Sequence, residues 1–136
     1  VLSEDFNNSQ LINKALKTSV KTVYLSTGNT TLRDVKVKIL NMSNVFKKKL
    51  ILIHTQFDNN LKKIKLNKIK TLKSLTKLNV AFGNHSKNLK IIKNSIKFNP
   101  YAVFIYVKSD FSRFFPDDGH AIKTKEINKF IKNLKK

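Results

Sequence analysis

LILIHTQFDNNLKKIKLNKIKTLKSLTKLNVAF, residues 50–82, is the stretch from which the fold is read. It opens on an apolar run, residues 50–54, of the kind that fills a strand buried on both faces. It closes on a second short apolar run, residues 79–82. Between them, residues 61–78 carry helical periodicity. With Leu61 at zero and 100° per residue, Ile64, Leu72 and Leu75 fall within about 60° of it, while Lys62, Lys63, Lys70, Lys73 and Lys77 cluster between about 100° and 200°. Lys65 and Lys68 fall on the apolar side, where a buried stem can still carry its ammonium to the edge. Two apolar strands joined by such a helix make a βαβ unit, whose strands run parallel.

The same alternation continues in both directions. Upstream, residues 3–19 read as an opening helix with Leu11, Ile12, Ala15 and Leu16 on its apolar side. Residues 20–26 (VKTVYLS) read as a strand, and Thr27-Gly28-Asn29 as a turn. Thr31 and Asp34 form a capping-box-like start, after which Leu32, Val35, Ile39, Met42 and Phe46 share one helical face. Downstream, Gly83-Asn84 closes the strand of residues 79–82, and Ser86 is placed to cap a helix with Leu89, Ile92 and Ile96 inward. Asn99-Pro100 ends that helix. Residues 101–107 (YAVFIYV) read as an interior strand, residues 111–115 as a short aromatic segment, and Pro116-Asp117-Asp118-Gly119 as a turn. Thr124 caps a last helix with Ile127, Phe130, Ile131 and Leu134 inward.

No internal repeat or Gly/Ser/Pro-rich linker divides the chain, so residues 1–136 are expected to form a single basic α/β domain. Its sheet should be mainly parallel or mixed, with about four short strands covered by helices. The longest apolar run has seven residues, far below the ~20 that span a bilayer as a helix. No membrane partner is expected. The start at Val1, followed by Glu4 and Asp5, resembles a processed or trimmed end more than an import presequence.

Charge is the dominant compositional feature. Lys plus Arg number 28 against 8 Asp plus Glu, a formal charge of +20 at pH 7. The 26 lysines against 2 arginines, with 16 asparagines and 13 isoleucines, bear the mark of an AT-biased genome. Codon bias alone does not explain the scarcity of acids, so the surplus charge points to a polyanionic partner. With 40% hydrophobic residues in organised patterns, the chain is a folded one.

Catalytic groups are few. There is no cysteine, which removes thiolate nucleophiles, disulfides and cysteine zinc sites. His54, His85 and His120 are scattered and lack metal-ligand spacing, and Asp117-Asp118-Gly119-His120 reads as a turn before it reads as a metal loop. Three glycines permit neither a P-loop nor a GxGxxG fingerprint, although residues 83–86 could cradle one phosphate at a helix start. No catalytic residue, metal, cofactor or small-molecule substrate is expected, and the chain reads as a non-enzyme. The candidate contact residues are basic instead: Lys47, Lys48 and Lys49 at a helix–strand junction, Lys62, Lys63, Lys70, Lys73 and Lys77 on the next helix, and Lys87, Asn88, Lys90, Lys93 and Lys97 on the one after it. These suit RNA phosphates and 2′-hydroxyls.

The order of a helix ending in Phe46, the strand LILIH, a lysine-rich helix, the strand NVAF, the segment SKNLKIIKNSI and the strand YAVFIY resembles the N-terminal domain of the large-subunit ribosomal stalk-base protein family. Lys87, Asn88 and Leu89, with Asn99-Pro100 before the last strand, are the matching positions, and the likeness spans about residues 31–107. It implies an α/β domain bound to ribosomal RNA and to neighbouring ribosomal proteins. The expectation is therefore a structural protein of an organellar ribosome, mitochondrial or else in a plastid-type organelle. The alternatives are a basic DNA-binding or nucleoid protein, and a metal-dependent nucleic-acid enzyme using Asp58, Asp110 or Asp117.

Overall fold

The computed structural model describes residues 1–58, 60, 62–109 and 117–134. A 3-10 turn, Glu4–Asn7, leads into α1 (Ser9–Lys17), β1 (Val23–Ser26), α2 (Leu32–Leu40), α3 (Asn44–Lys49) and β2 (Leu50–Gln56). Then come α4 (Lys68–Thr76), β3 (Asn79–Asn84), α5 (Leu89–Ile96), β4 (Val103–Ile105), β5 (Val107–Lys108), β6 (Ile122–Lys123) and α6 (Thr124–Leu134).

The first four strands form one sheet in the order β1-β2-β3-β4, every neighbour parallel. β5 and β6 pair separately, also parallel. Strand order equal to chain order means that every crossover steps the same way, and right-handed crossovers then place the intervening helices on one face. The result is a single α/β domain, one half of a (β/α)8-type barrel wall. Val1 continues the pattern beyond β1: its amine donates to the Tyr24 carbonyl at 2.9 Å, and its carbonyl accepts from the Ser26 amide at 3.1 Å.

Side chains alternate between the two faces with the strand period of two. Val23, Leu25, Leu50, Leu52, Val80 and Phe82 meet Ile12, Leu16, Val35, Ile39, Ile69, Leu72 and Ile91 in the main core. Leu25, Leu52 and Val80 are in register across three strands. Each such burial contributes on the order of 2 kcal/mol. A second, smaller core of Ile92, Ile122 and Ile127 ties α5, β6 and α6 together, with Ile105 and Phe130 against it. The opposite face of the sheet presents Tyr24, Ser26, Ile53, Thr55, Gly83 and Phe104 to a concave cavity.

Several boundaries differ from expectation for local reasons. The helix expected over residues 61–78 is confined to α4, because polar side chains capture the preceding backbone. Asn60 Oδ1 accepts from the Lys62 amide at 3.0 Å, and Gln56 Oε1 from the Lys65 amide at 2.6 Å. Leu61, the reference for that helical wheel, lies outside the described residues. The helix expected to end at Phe46 is two helices, since Ser43 caps α3 by accepting from the Phe46 amide at 3.3 Å. The opening helix likewise restarts at Asn8, which accepts from the Leu11 amide at 3.0 Å. The capping box at Thr31 and Asp34 forms as expected.

The strand of residues 79–82 extends through Gly83 and Asn84, and the cap of α5 is Asn88, not Ser86. Residues 101–107 are corrected most. β4 covers three of them, pairs only with β3 among the described residues, and leaves Phe104 40% exposed, so it is an edge strand. Thr124 begins α6, and its hydroxyl donates to the Lys108 carbonyl. The aromatic segment 111–115, Pro116 and Asp110 lie outside the described residues.

Candidate functional site

Parallel strands carry all their C-terminal ends to one edge, where the connecting loops converge. At that edge Ser26 ends β1, Thr55 and Gln56 end β2, Gly83 and Asn84 end β3, and Tyr106 follows β4. Ser26, Thr55, Gly83, Asn84 and Tyr106 surround a cavity of about 500 Å³ on the concave face, together with Ser3, Glu4, Phe57 and His85.

Its floor is a chain of hydroxyls. The Ser3 and Ser26 hydroxyls share a hydrogen bond at 2.6 Å, and the Ser26 and Thr55 hydroxyls another at 2.7 Å. The Gly28 amide donates to Ser3 Oγ at 3.2 Å. Gly83 keeps the floor open, since a Cβ there would lie 3.0 Å from Thr55 Oγ1 and 3.1 Å from Ile53 Cγ2.

Its rim is aromatic. The His85 ring lies 4.7 Å from Phe57, 4.9 Å from Tyr106 and 5.0 Å from His120, centroid to centroid. Tyr106 and His120 meet edge-on at 4.5 Å. His120 Nε2 lies 3.2 Å from Asp117 Oδ1. The turn that carries both is held to β5 by the Lys108 ammonium, 2.5 Å from Asp118 Oδ1. Burial, then His120, pushes the His85 imidazole below its ordinary value of 6.5, against an opposing pull from Asp117 and Glu4. Burial, with Asp117 and Glu4, pushes the Tyr106 phenol above its ordinary 10. A neutral imidazole therefore faces a protonated phenol at neutral pH, which is a base beside an acid.

The residues expected to contact RNA are spread over other surfaces. Lys47, Lys48, Lys49 and Lys77 line a groove at the opposite, N-terminal edge of the sheet. Lys47 donates to the Leu40 carbonyl at the end of α2, and Lys49 to the Leu16 and Thr18 carbonyls at the end of α1. Cations there answer the negative ends of two helices. Lys70 sits 5.6 Å over the Phe98 ring, and Lys73 donates to the Asn99 carbonyl. Lys62 and Lys63 are exposed in the loop after β2, and Lys87, Lys90, Lys93 and Lys97 are exposed at and along α5. Asn88 caps α5 by accepting from the Lys90 amide at 3.0 Å.

The sequence reading weighed His85 and His120 and set them aside as scattered, and it passed over Tyr106. A signal existed for two of them: each follows directly on a strand end, the place where parallel α/β sheets hold their chemistry. His120 carries no local signal. Among the described residues, no group of three or more His, Asp or Glu side chains is placed to hold a metal ion.

The solved structure of N-acetylneuraminic acid (sialic acid) synthetase from Leptospira borgpetersenii serovar Hardjo-bovis, in complex with citrate, is similar at a TM-score of 0.82 and 23% identity, over 98% of this chain and 47% of that one. A truncated 3-deoxy-D-arabino-heptulosonate 7-phosphate synthase from Thermotoga maritima matches at a TM-score of 0.82 and 14% identity, over 99% and 55% of the two chains. These likenesses show a shared fold, and this chain spans about half the length of the structures it matches. No protein of curated function matches it in sequence.

The stalk-base resemblance is overturned, and with it the non-enzymatic ribosomal role, the rRNA and ribosomal-protein partners and the exclusion of a small-molecule substrate. Alternating helices and strands with basic surfaces are common to many α/β folds, and strand order, which separates them, is not written in the alternation. The model of the NeuB family matches residues 1–136. The chain belongs to the NeuB family.

Proposed function

We propose that this chain provides a small-molecule site of a synthase that builds an acidic sugar. The observation that carries the reading is the convergence of His85, Tyr106 and His120 over the hydroxyl floor at the C-terminal edge of the sheet. The printed names of the similar structures support the product class, since N-acetylneuraminic acid and 3-deoxy-heptulosonate are both acidic sugars. In this reading the neutral His85 accepts a proton from a substrate hydroxyl or water, and the Tyr106 phenol donates to a substrate oxygen. The Ser26 and Thr55 hydroxyls meet the sugar's own hydroxyls, and the aromatic rim packs against its C–H faces.

Saturation-transfer NMR with N-acetylneuraminic acid tests the reading. Wild-type protein should transfer saturation to the sugar, and His85→Gln and Tyr106→Phe should each reduce the effect severalfold with the fold intact by circular dichroism. Absence of transfer, or transfer indifferent to both substitutions, overturns it.

A further inference from the structure

On the helical side of the sheet, opposite the face that holds the rim, a smaller chamber of about 150 Å³ lies beneath the N-termini of α2 and α4. His54 of β2 lines it, 3% exposed, and the buried Nε2 of its ring makes no hydrogen bond. An unpaired buried donor or acceptor costs on the order of 1–3 kcal/mol, so the ring favours a polar partner. The charged side chain on the lining is Lys68, the first residue of α4.

The lining selects against cations and neutral polyols. No Asp or Glu belongs to it among the described residues. The hydroxyl protons of Thr27 and Thr30 are already donated to the Ile53 and Thr27 carbonyls. α4 has no side-chain cap and no acid in its first turn; its first two amides donate to the Lys65 and Leu66 carbonyls, so the charge that meets the chamber is the Lys68 ammonium, with the helix dipole behind it. A water could satisfy Nε2, but it would leave the ammonium without a counter-charge. An oxyanion answers both.

We propose that this chamber binds a small oxyanion of phosphate size, held between His54 Nε2 and the Lys68 ammonium at the N-terminus of α4. The site shares the wall residue Thr55 with the concave cavity but places His54 and Lys68 outside it, and it does not depend on the function proposed for that cavity. Burial, and then Lys68, hold the His54 imidazole down to about 4, while the Lys65 backbone and the Gln56 side chain work the other way. The charged group facing His54 is thus Lys68, from α4; α2 presents Leu32 and Val35, and β3 presents the Phe82 ring at 6.2 Å. An anion between His54 and Lys68 stabilises the imidazolium, so binding is coupled to proton uptake by the ring.

The test is histidine NMR titration of the whole chain in inorganic phosphate against chloride at equal ionic strength. In phosphate the His54 midpoint should rise by about one pH unit or more, a tenfold or greater change in its proton affinity. His85 and His120 should keep their midpoints. In Lys68→Gln, a half-buried position whose change spares the core, the rise should disappear. An unchanged His54 midpoint overturns the proposal, as does a rise that survives Lys68→Gln or one shared by all three histidines.

Discussion

His85 and His120 face each other with ring centroids 5.0 Å apart and planes at 52°, although one follows β3 and the other sits in the turn before β6. Burial, and then the neighbouring His120, hold the His85 imidazole below its ordinary value. His120→Gln should therefore raise the His85 midpoint while leaving it below 6.5, because burial is the larger cause and remains. Histidine NMR titration of the variant checks this, and an unchanged His85 would place the whole shift on burial.

Acid should destabilise the fold through His54. Its folded value is about 4 against an ordinary 6.5, so between these limits the unfolded chain binds the proton and the folded chain does not. Stability is therefore complete above pH 6.5 and declines as pH falls toward 4, by about 3 kcal/mol at the limit. Urea midpoints at pH 7 and pH 4.5 should fall further apart in the wild type than in His54→Gln.

Leu72 is 1% exposed in the main core, between α4 and the sheet. Leu72→Ala should cost roughly 2–5 kcal/mol by leaving a cavity, read from urea unfolding. Lys70→Gln, on the exposed side of the same helix, should change stability by less than about 0.5 kcal/mol.

A Cβ at Gly28 would lie 2.7 Å from Ser3 Oγ, whose hydroxyl is fixed by Ser26. Gly28→Ala should cost about 1–3 kcal/mol by displacing that hydroxyl and breaking the chain to Thr55. Adding Ser3→Gly should recover part of the lost melting temperature, and a double variant no better than Gly28→Ala would locate the strain elsewhere.

Lys77 caps α4 in the left-handed conformation, φ 59°, which a side chain adopts at a cost. Lys77→Gly should stabilise the protein by about 1 kcal/mol, whereas Lys77→Ala should give no comparable gain. Thermal unfolding of the two variants separates them.

The part of this architecture legible in the residue order is local. Apolar runs at residues 50–54 and 79–82, the Thr31–Asp34 box and the helical stripe through Val35 and Ile39 specify elements through contacts within a few residues, and those elements form. Side-chain capture of the backbone by Gln56, Asn60 and Ser43 is local too, but it competes with helical periodicity and decides the ends only once the strands are placed. Strand order, and therefore which loops share an edge, was decided by the tertiary structure. His85, Tyr106 and His120 meet because β3 and β4 are neighbours and the turn at residues 117–120 folds back beside them, a relation that no spacing along the chain encodes. The lysines mark the same boundary: their number is legible as charge, but Lys47 and Lys49 close helix ends while Lys68 lines a chamber, because a cation's role depends on which carbonyls and cavities the fold brings within its reach.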